Sequence, residues 1–310
     1  VNGTQKHGIQ SKADLILAGG NITVTAVTDG VRGRNSVLVL DGSLRINCGG
    51  DGITATRTDT EGKGWIVLAG GDIQIQTGEG AGTPQASSRG REGFGGRGGR
   101  DDWGTVSASS DSGVSQKAVK AAADLTVLGG SYTLDCADDG LHAANVTFAG
   151  GAIFIRSGDD AIHADQSLTV SGGSIDISQC YEGLEAEDVT IAGGSIRIVS
   201  SDDGINASGG ADGSGFGGWG RGGGYTASGA TGMLTISGGQ IEVTAGGDGL
   251  DSNGSIQISG GVTGVWAATT TGEGAIDFNG TGTVSGGTLI VASTGGVMRD
   301  TAGLSGQTIM

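Results

Sequence analysis

Proline is nearly missing: Pro84 is the single one in 310 residues, although glycine occurs 68 times. A collagen-like fibre needs glycine at every third position with abundant proline, so that class is excluded. Basic residues are scarce. Seventeen Lys and Arg face 33 Asp and Glu, a formal charge of −16. Nucleic-acid binding needs basic groups to neutralise phosphates, so neither nucleic acid nor an anionic membrane surface is an expected partner. Uncharged polymers, or anions bridged by a divalent cation, remain compatible. No apolar run approaches the roughly 18 residues of a membrane span, and no signal peptide is visible. The chain starts at Val1 rather than Met, which reads as a fragment or a processed form. Three cysteines cannot all pair with one another, so no disulfide framework is expected.

The glycines come in pairs at fixed places. One phrase recurs, apolar-x-apolar-x-Gly-Gly-x-apolar-x-apolar. It reads LILAGGNITV from Leu15, IVLAGGDIQI from Ile66, VTIAGGSIRI from Val189 and LTISGGQIEV from Leu234. A second phrase, Asp-Gly-Ile-x-Ala or a close variant, follows each copy. Its copies centre on Val31, Ile53, Val119, Leu141, Ile162, Leu184, Ile205, Leu250 and Ile276, mostly 21 or 22 residues apart. Alternation with period two means strands. Three short strands and three turns in about 22 residues describe one coil of a parallel solenoid. The fold expected is therefore all-β, a right-handed parallel β-helix of about ten to eleven coils forming one domain over 1–310.

Two glycine-rich insertions break the rhythm, at about 78–114 and 208–231. They carry sparse aromatics, Phe94 and Trp103, then Phe216, Trp219 and Tyr225. They read either as surface loops or as flaps that stack aromatic faces on sugar rings, with Trp219 and Tyr225 as the ligand-binding candidates. Cys48 and Cys136 share one inward ladder with Thr77 between them, about 10 Å apart and beyond disulfide reach. Cys180 lies one residue outside that register, where Gln179 holds the ladder position.

Equivalent residues of successive coils stack directly above one another, so aligning the repeat gives spatial neighbours. The x position of the second phrase points outward and reads Lys120, His142, His163, Glu185, Asn206, Asp251 and Asp277. Beside a strip of glycines, this column is expected to border a shallow ligand groove. The preceding turn carries Asp138-Asp139, Asp159-Asp160, Tyr181-Glu182, Asp202-Asp203 and Gly247-Asp248, with Asp29 and Asp51 continuing towards the N-terminus. Carboxylates about 5 Å apart repel by several tenths of a kcal/mol or more per pair. Raised pKa values, N–H donors of the turn or a cation must offset that. Calcium suits clustered carboxylates. The candidate ligands are Asp138, Asp139, Asp159, Asp160, Glu182, Asp202 and Asp203, and local turn capping is the alternative.

The strings ADDGLHA from Ala137, SGDDAIHAD from Ser157, QCYEGLEAED from Gln179, SSDDGINASGG from Ser200 and GGDGLDSNGSIQISGG from Gly246 occur in order. Together they resemble a family of secreted or surface bacterial β-helices described as carbohydrate-binding-domain-containing proteins. The resemblance runs from about Gly8 to Gly296. It implies a calcium-binding right-handed β-helix, similar in fold to pectate lyases, that binds plant-type polysaccharides such as cellulose or polygalacturonate without established catalysis. Ala118 and Ala161 depart from the family pattern, which has glycine there.

The function expected is a non-catalytic polysaccharide-binding module, secreted or on the cell surface, calcium-dependent or calcium-stabilised, and flanked by further domains. The enzymatic alternative is a calcium-dependent polysaccharide lyase with Lys120 as its base. The structural alternative is a surface stalk or adhesin.

Overall fold

The computed structural model describes residues 1–82, 115–207, 232–267, 274–293 and 304–306. Among them every regular element is a strand and every pairing with an assigned register is parallel. One sheet holds eleven strands, from Asn2–Gly3 to Thr288–Ser293, one per coil. We call this the long face; Ser43–Cys48 and Asp72–Thr77 are typical members. The second sheet carries two strands per coil, such as Ile53–Ala55 on the short face and Trp65–Leu68 on the return face. The chain is a parallel β-solenoid of about eleven turns. In three middle coils the short and return strands run together as Leu141–Phe148, Ile162–Val170 and Leu184–Ile191, where three separate strands were expected. Register shifts at Ala143/Asn145 and Ala164/Ser167 absorb the corner that a turn makes elsewhere.

Alternation decides which side chains enter the core. In Gln240–Ala245 every second residue is buried. Ile153, Ile155, Ile175, Ile177, Ile196 and Ile198 are buried in successive coils, and Phe148 and Tyr132 fill wider gaps. Each such aliphatic side chain contributes roughly 1.5–3 kcal/mol by burial. The Gly-Gly corner between return and long faces has a backbone reason. The second glycine lies at positive φ, for example +88° at Gly151, where a side chain is strained. A Cβ on the first, Gly150, would sit 2.6 Å from the Leu128 carbonyl oxygen of the neighbouring coil.

Cys48 pairs in register with Thr77, as expected, and all three cysteines are buried and unpaired. The expectation for Cys180 is corrected. Arg156 pairs with Gln179 across a bulge that leaves out Ser178. The next residue, Cys180, thereby returns to the level of Ser157 and is buried. The first insertion begins against the long face, where the Ala81 amide donates to Asp135 Oδ1 at 2.9 Å and Gly82 O accepts from Gln179 Nε2 at 2.7 Å. The remainder of that insertion and all of the second, including Trp219 and Tyr225, lie outside the described residues.

Candidate functional site

The turn from the long face to the short face stacks into a single column. Backbone bonds of 2.8–3.0 Å run from Gly30 N to Asp51 O, Gly52 N to Lys117 O, Ala118 N to Asp139 O and Gly140 N to Asp160 O. They continue from Ala161 N to Glu182 O, Gly183 N to Asp203 O and Gly204 N to Asp248 O. Asp29, Asp51, Lys117, Asp139, Asp160, Glu182, Asp203 and Asp248 are thus equivalent residues of successive coils. Lys117 occupies an acid's position, so its coil brings an ammonium group into the carboxylate column.

Expected turn capping operates, but between coils. Asp29 accepts from the Asp51 amide at 3.3 Å, Asp51 from Lys117 at 3.0 Å, Asp160 from Glu182 at 3.3 Å and Asp203 from Asp248 at 2.7 Å. The Gly274 amide donates to Asp248. Each of these carboxylates therefore meets an N–H group that the stacking places beside it.

Three residues after each turn residue comes the x position of the short face. It is displaced from the apolar core, and its exposure varies along the rod: Lys120, His142, Asp251 and Asp277 are half-buried. Thr54, His163, Glu185 and Asn206 are 1–4% exposed. The supposed glycine strip is closed as well: a Cβ on Gly140 would meet Ala161 O at 2.4 Å and Ile155 at 2.9 Å. Strand alternation says which side of a strand a residue occupies. It does not say whether neighbouring turns cover it.

This i, i+3 spacing divides the coils by charge. Towards the N-terminus Asp29, Asp139 and Asp160 each have a basic partner. Asp29 accepts from Arg32 at 2.8 Å and lies 3.1 Å from His7 Nδ1. Lys117 Nζ bridges Asp138, at 2.9 Å, and Asp139. Asp139 also pairs with His142 Nδ1 at 2.8 Å, and Asp160 with His163 Nδ1 at 3.1 Å. Lys120 Nζ donates to Ser115 Oγ at 3.0 Å, and Ser115 Oγ donates to Asp51. From Glu182 onward the pairs become acid with acid or amide: Glu182 with Glu185, Asp203 with Asn206, Asp248 with Asp251, ending at Asp277.

Protonation follows this division only in part, since burial still raises Asp51 and Asp160 on the base-containing side. Burial opposes the charge on Lys117, but Asp139 and Asp138 outweigh it and hold the ammonium well above its usual range. Burial would raise Asp139, but Lys117 and His142 depress it. Burial opposes the His163 imidazolium, yet Asp160 and Glu185, the latter at 2.8 Å, raise it to about 12. Asp160 is pushed well up by burial despite His163, with Asp159 and Glu182 adding to the rise. Among the described residues of the acidic coils no basic group compensates in this way. Burial and then the Glu185 charge push Glu182 to about 8. Burial followed by Glu182, Asp202, Asp248 and Asp251 pushes Asp203 to about 10.

One polar atom stands out here. Asn206 Nδ2 donates to Glu182 Oε2 at 2.9 Å, while Asn206 Oδ1 is buried without a hydrogen-bond partner. In the ladder Asn206 sits between Glu185 and Asp251. Carboxylate atoms of Asp248, Asp251 and Asp277 lie within 4.8 Å of one another, as do those of Asp138, Asp139 and Asp159. The residues that the repeat phrases did not single out are Lys117 and Asp165. Lys117 was legible as the turn position of the AVKA copy; Asp165 stands just beyond the repeated phrase.

A parallel solenoid with a lateral charge column defines the structural class. A family model described as carbohydrate-binding domain-containing protein matches residues 1–161, and the chain belongs to that family. Membership assigns it a carbohydrate-binding role. No curated protein and no solved structure matches the chain. The match ends at Ala161, two residues before His163, and stops before the acidic coils that begin at Glu182.

Proposed function

We propose that this chain is a non-catalytic polysaccharide-binding module acting outside the cell or on its surface, flanked there by further domains. The observation that carries the reading is a shallow depression on the long face. It is lined by Thr25, Arg45, Asn47, Gln74, Gln76 and Thr133, all within the family-matched segment. Asn47 Nδ2 donates to Gln76 Oε1 at 3.2 Å, so part of this amide surface is already ordered. Flat sheets of hydroxyl and amide groups offer both donors and acceptors to sugar hydroxyls. The repeating strand spacing suits an extended polymer. Plant-type polymers, neutral or uronic, are the ligand class.

Calcium stabilises the same rod in this reading. The donor set fits it: Glu182, Asp203, Asp248 and Asp251 supply hard carboxylate oxygens, and the buried Asn206 Oδ1 supplies a neutral oxygen with no other partner. Asp138 and Asp139 already share the Lys117 ammonium, which supports a cation in the later coils rather than along all of the candidate ligands. Calcium there would offset the repulsion that pushes Glu182 and Asp203 upward.

The test is retention on insoluble polysaccharides and uronate polymers with calcium present, for wild type and for a Gln74→Ala/Gln76→Ala variant. Retention of the wild type and its loss in the variant, with unchanged melting, is the expected result. No retention of the wild type on any polymer would overturn the reading.

A further inference from the structure

We propose that Phe154 and Trp266 are the two aromatic ends of a sugar-binding strip on the long face, which takes a neutral, extended β-1,4-linked pyranose chain laid along the rod. The inference rests on the polysaccharide reading above and adds to it a direction and two stacking positions. Strand register defines the strip. Gln74 pairs with Thr133 and Thr133 with Phe154, so the column leaves the polar depression without a break. It continues from Phe154 through Asp176, Arg197 and Glu242 to Gly264. By alternation each of these residues points away from the core.

Trp266 reaches this column although it stands two residues further along its strand. A Cβ on Gly264 would lie 2.5 Å from the far edge of the Trp266 ring, so the indole leans back over the glycine. Gly264 is therefore buried at an outward position, while Trp266 stays 42% exposed. Only a residue without a side chain leaves the ring that place. Phe154 is 37% exposed in the same column. Aromatic rings fixed on a sheet surface offer apolar area to the C–H groups of a pyranose at little cost in side-chain freedom.

Four strand steps separate Phe154 from Gly264, roughly 19 Å at the usual strand spacing. A β-1,4-linked pyranose chain advances by nearly one strand spacing per ring, so about four rings cover that span. Alternate rings of such a chain turn over. Rings four apart therefore present the same face, as two aromatic positions on one surface require. Between them Arg197 donates to Asp176 at 3.2 Å, and this pair with Glu242 supplies donors and acceptors for ring hydroxyls. Beside the column the outward residues are Ser131, Ala152, Ser174 and Ser195, too small to obstruct a polymer. Two acids against one base, on a chain of formal charge −16, favour a neutral polymer over a uronate.

Titration calorimetry of the full chain with soluble β-1,4-linked gluco-oligosaccharides of increasing length tests the strip. Affinity should climb until a chain of about five rings reaches both aromatics. Phe154→Ala and Trp266→Ala should each weaken the longest ligand on the order of tenfold and flatten the length dependence. Circular dichroism and melting report on folding, and Phe154→Ala keeps the test independent of any packing lost over Gly264. Wild-type affinity in both variants, no dependence on length, or tighter binding of oligogalacturonate would each overturn the proposal. Failure of the underlying reading looks different, since the wild type is then retained on no polymer. Loss of retention in Gln74→Ala/Gln76→Ala but in neither aromatic variant would leave that reading standing and refute the strip.

Discussion

Replacing Glu182 by Gln should flatten the pH dependence of stability in protein stripped of divalent cations. Burial and the Glu185 charge raise the Glu182 carboxyl from 4.5 to about 8. A raised carboxyl holds its proton more tightly in the folded chain than in the unfolded one. Its penalty is absent below the unfolded value, grows as pH rises and is complete above the folded value. Between those limits one proton separates the two states, worth about 1.4 kcal/mol per pH unit. His163 adds a slope of the same sign, but only above its ordinary 6.5. A window from about pH 5 to 6.5 therefore isolates carboxyl groups. Asp160 and Asp203 also contribute in that window, and because the Glu182 charge adds to the rise of both, its removal can only flatten the slope further. Gln keeps an oxygen for the Asn206 amide to donate to and stays uncharged at every pH. Across the window Glu182→Gln should gain about 2 kcal/mol on the wild type. Denaturant unfolding in chelator at the two pH values measures this. Parallel wild-type and variant slopes would refute the account of Glu182 as a buried, repelled carboxylate. Saturating calcium should reverse the wild-type slope, because the ion binds the ionised form.

Lys117→Gln should cost about 3–5 kcal/mol in chelator, because it strands Asp138 and the buried Asp139 without their ammonium. Added calcium should recover part of that loss, and a loss below about 1 kcal/mol in denaturant titrations would show the bridge to be dispensable. The native thiols should resist a disulfide reagent and react in denaturant. Burial lifts Cys48 to about 12 and puts Cys136 and Cys180 well above the ordinary thiol value. Rapid labelling of any of the three in the folded chain would contradict the packing described.

Repetition made the fold legible. Gly-Gly recurs because the second glycine needs positive φ and the first meets a carbonyl of the neighbouring coil, as Gly151 and Gly150 do; the Asp41-Gly42 copy keeps only the second glycine. The turn carboxylates could likewise be stacked by alignment, since a period of about 22 residues fixes which residues become neighbours. Lys117 escaped notice because its copy of the phrase carries no acid. Cys180 was misplaced because a one-residue bulge leaves no trace in composition. Which side of a strand a residue occupies follows from alternation, as it did for His163 and Asn206. That these two are buried, that His163 stays protonated and that Asn206 Oδ1 lacks a partner depend on what the adjacent coils lay over them. Periodicity along one chain determines order and stacking; burial and charge balance arise between coils, where desolvation and Coulomb terms act over a few ångströms, and only the tertiary structure brings those groups that close.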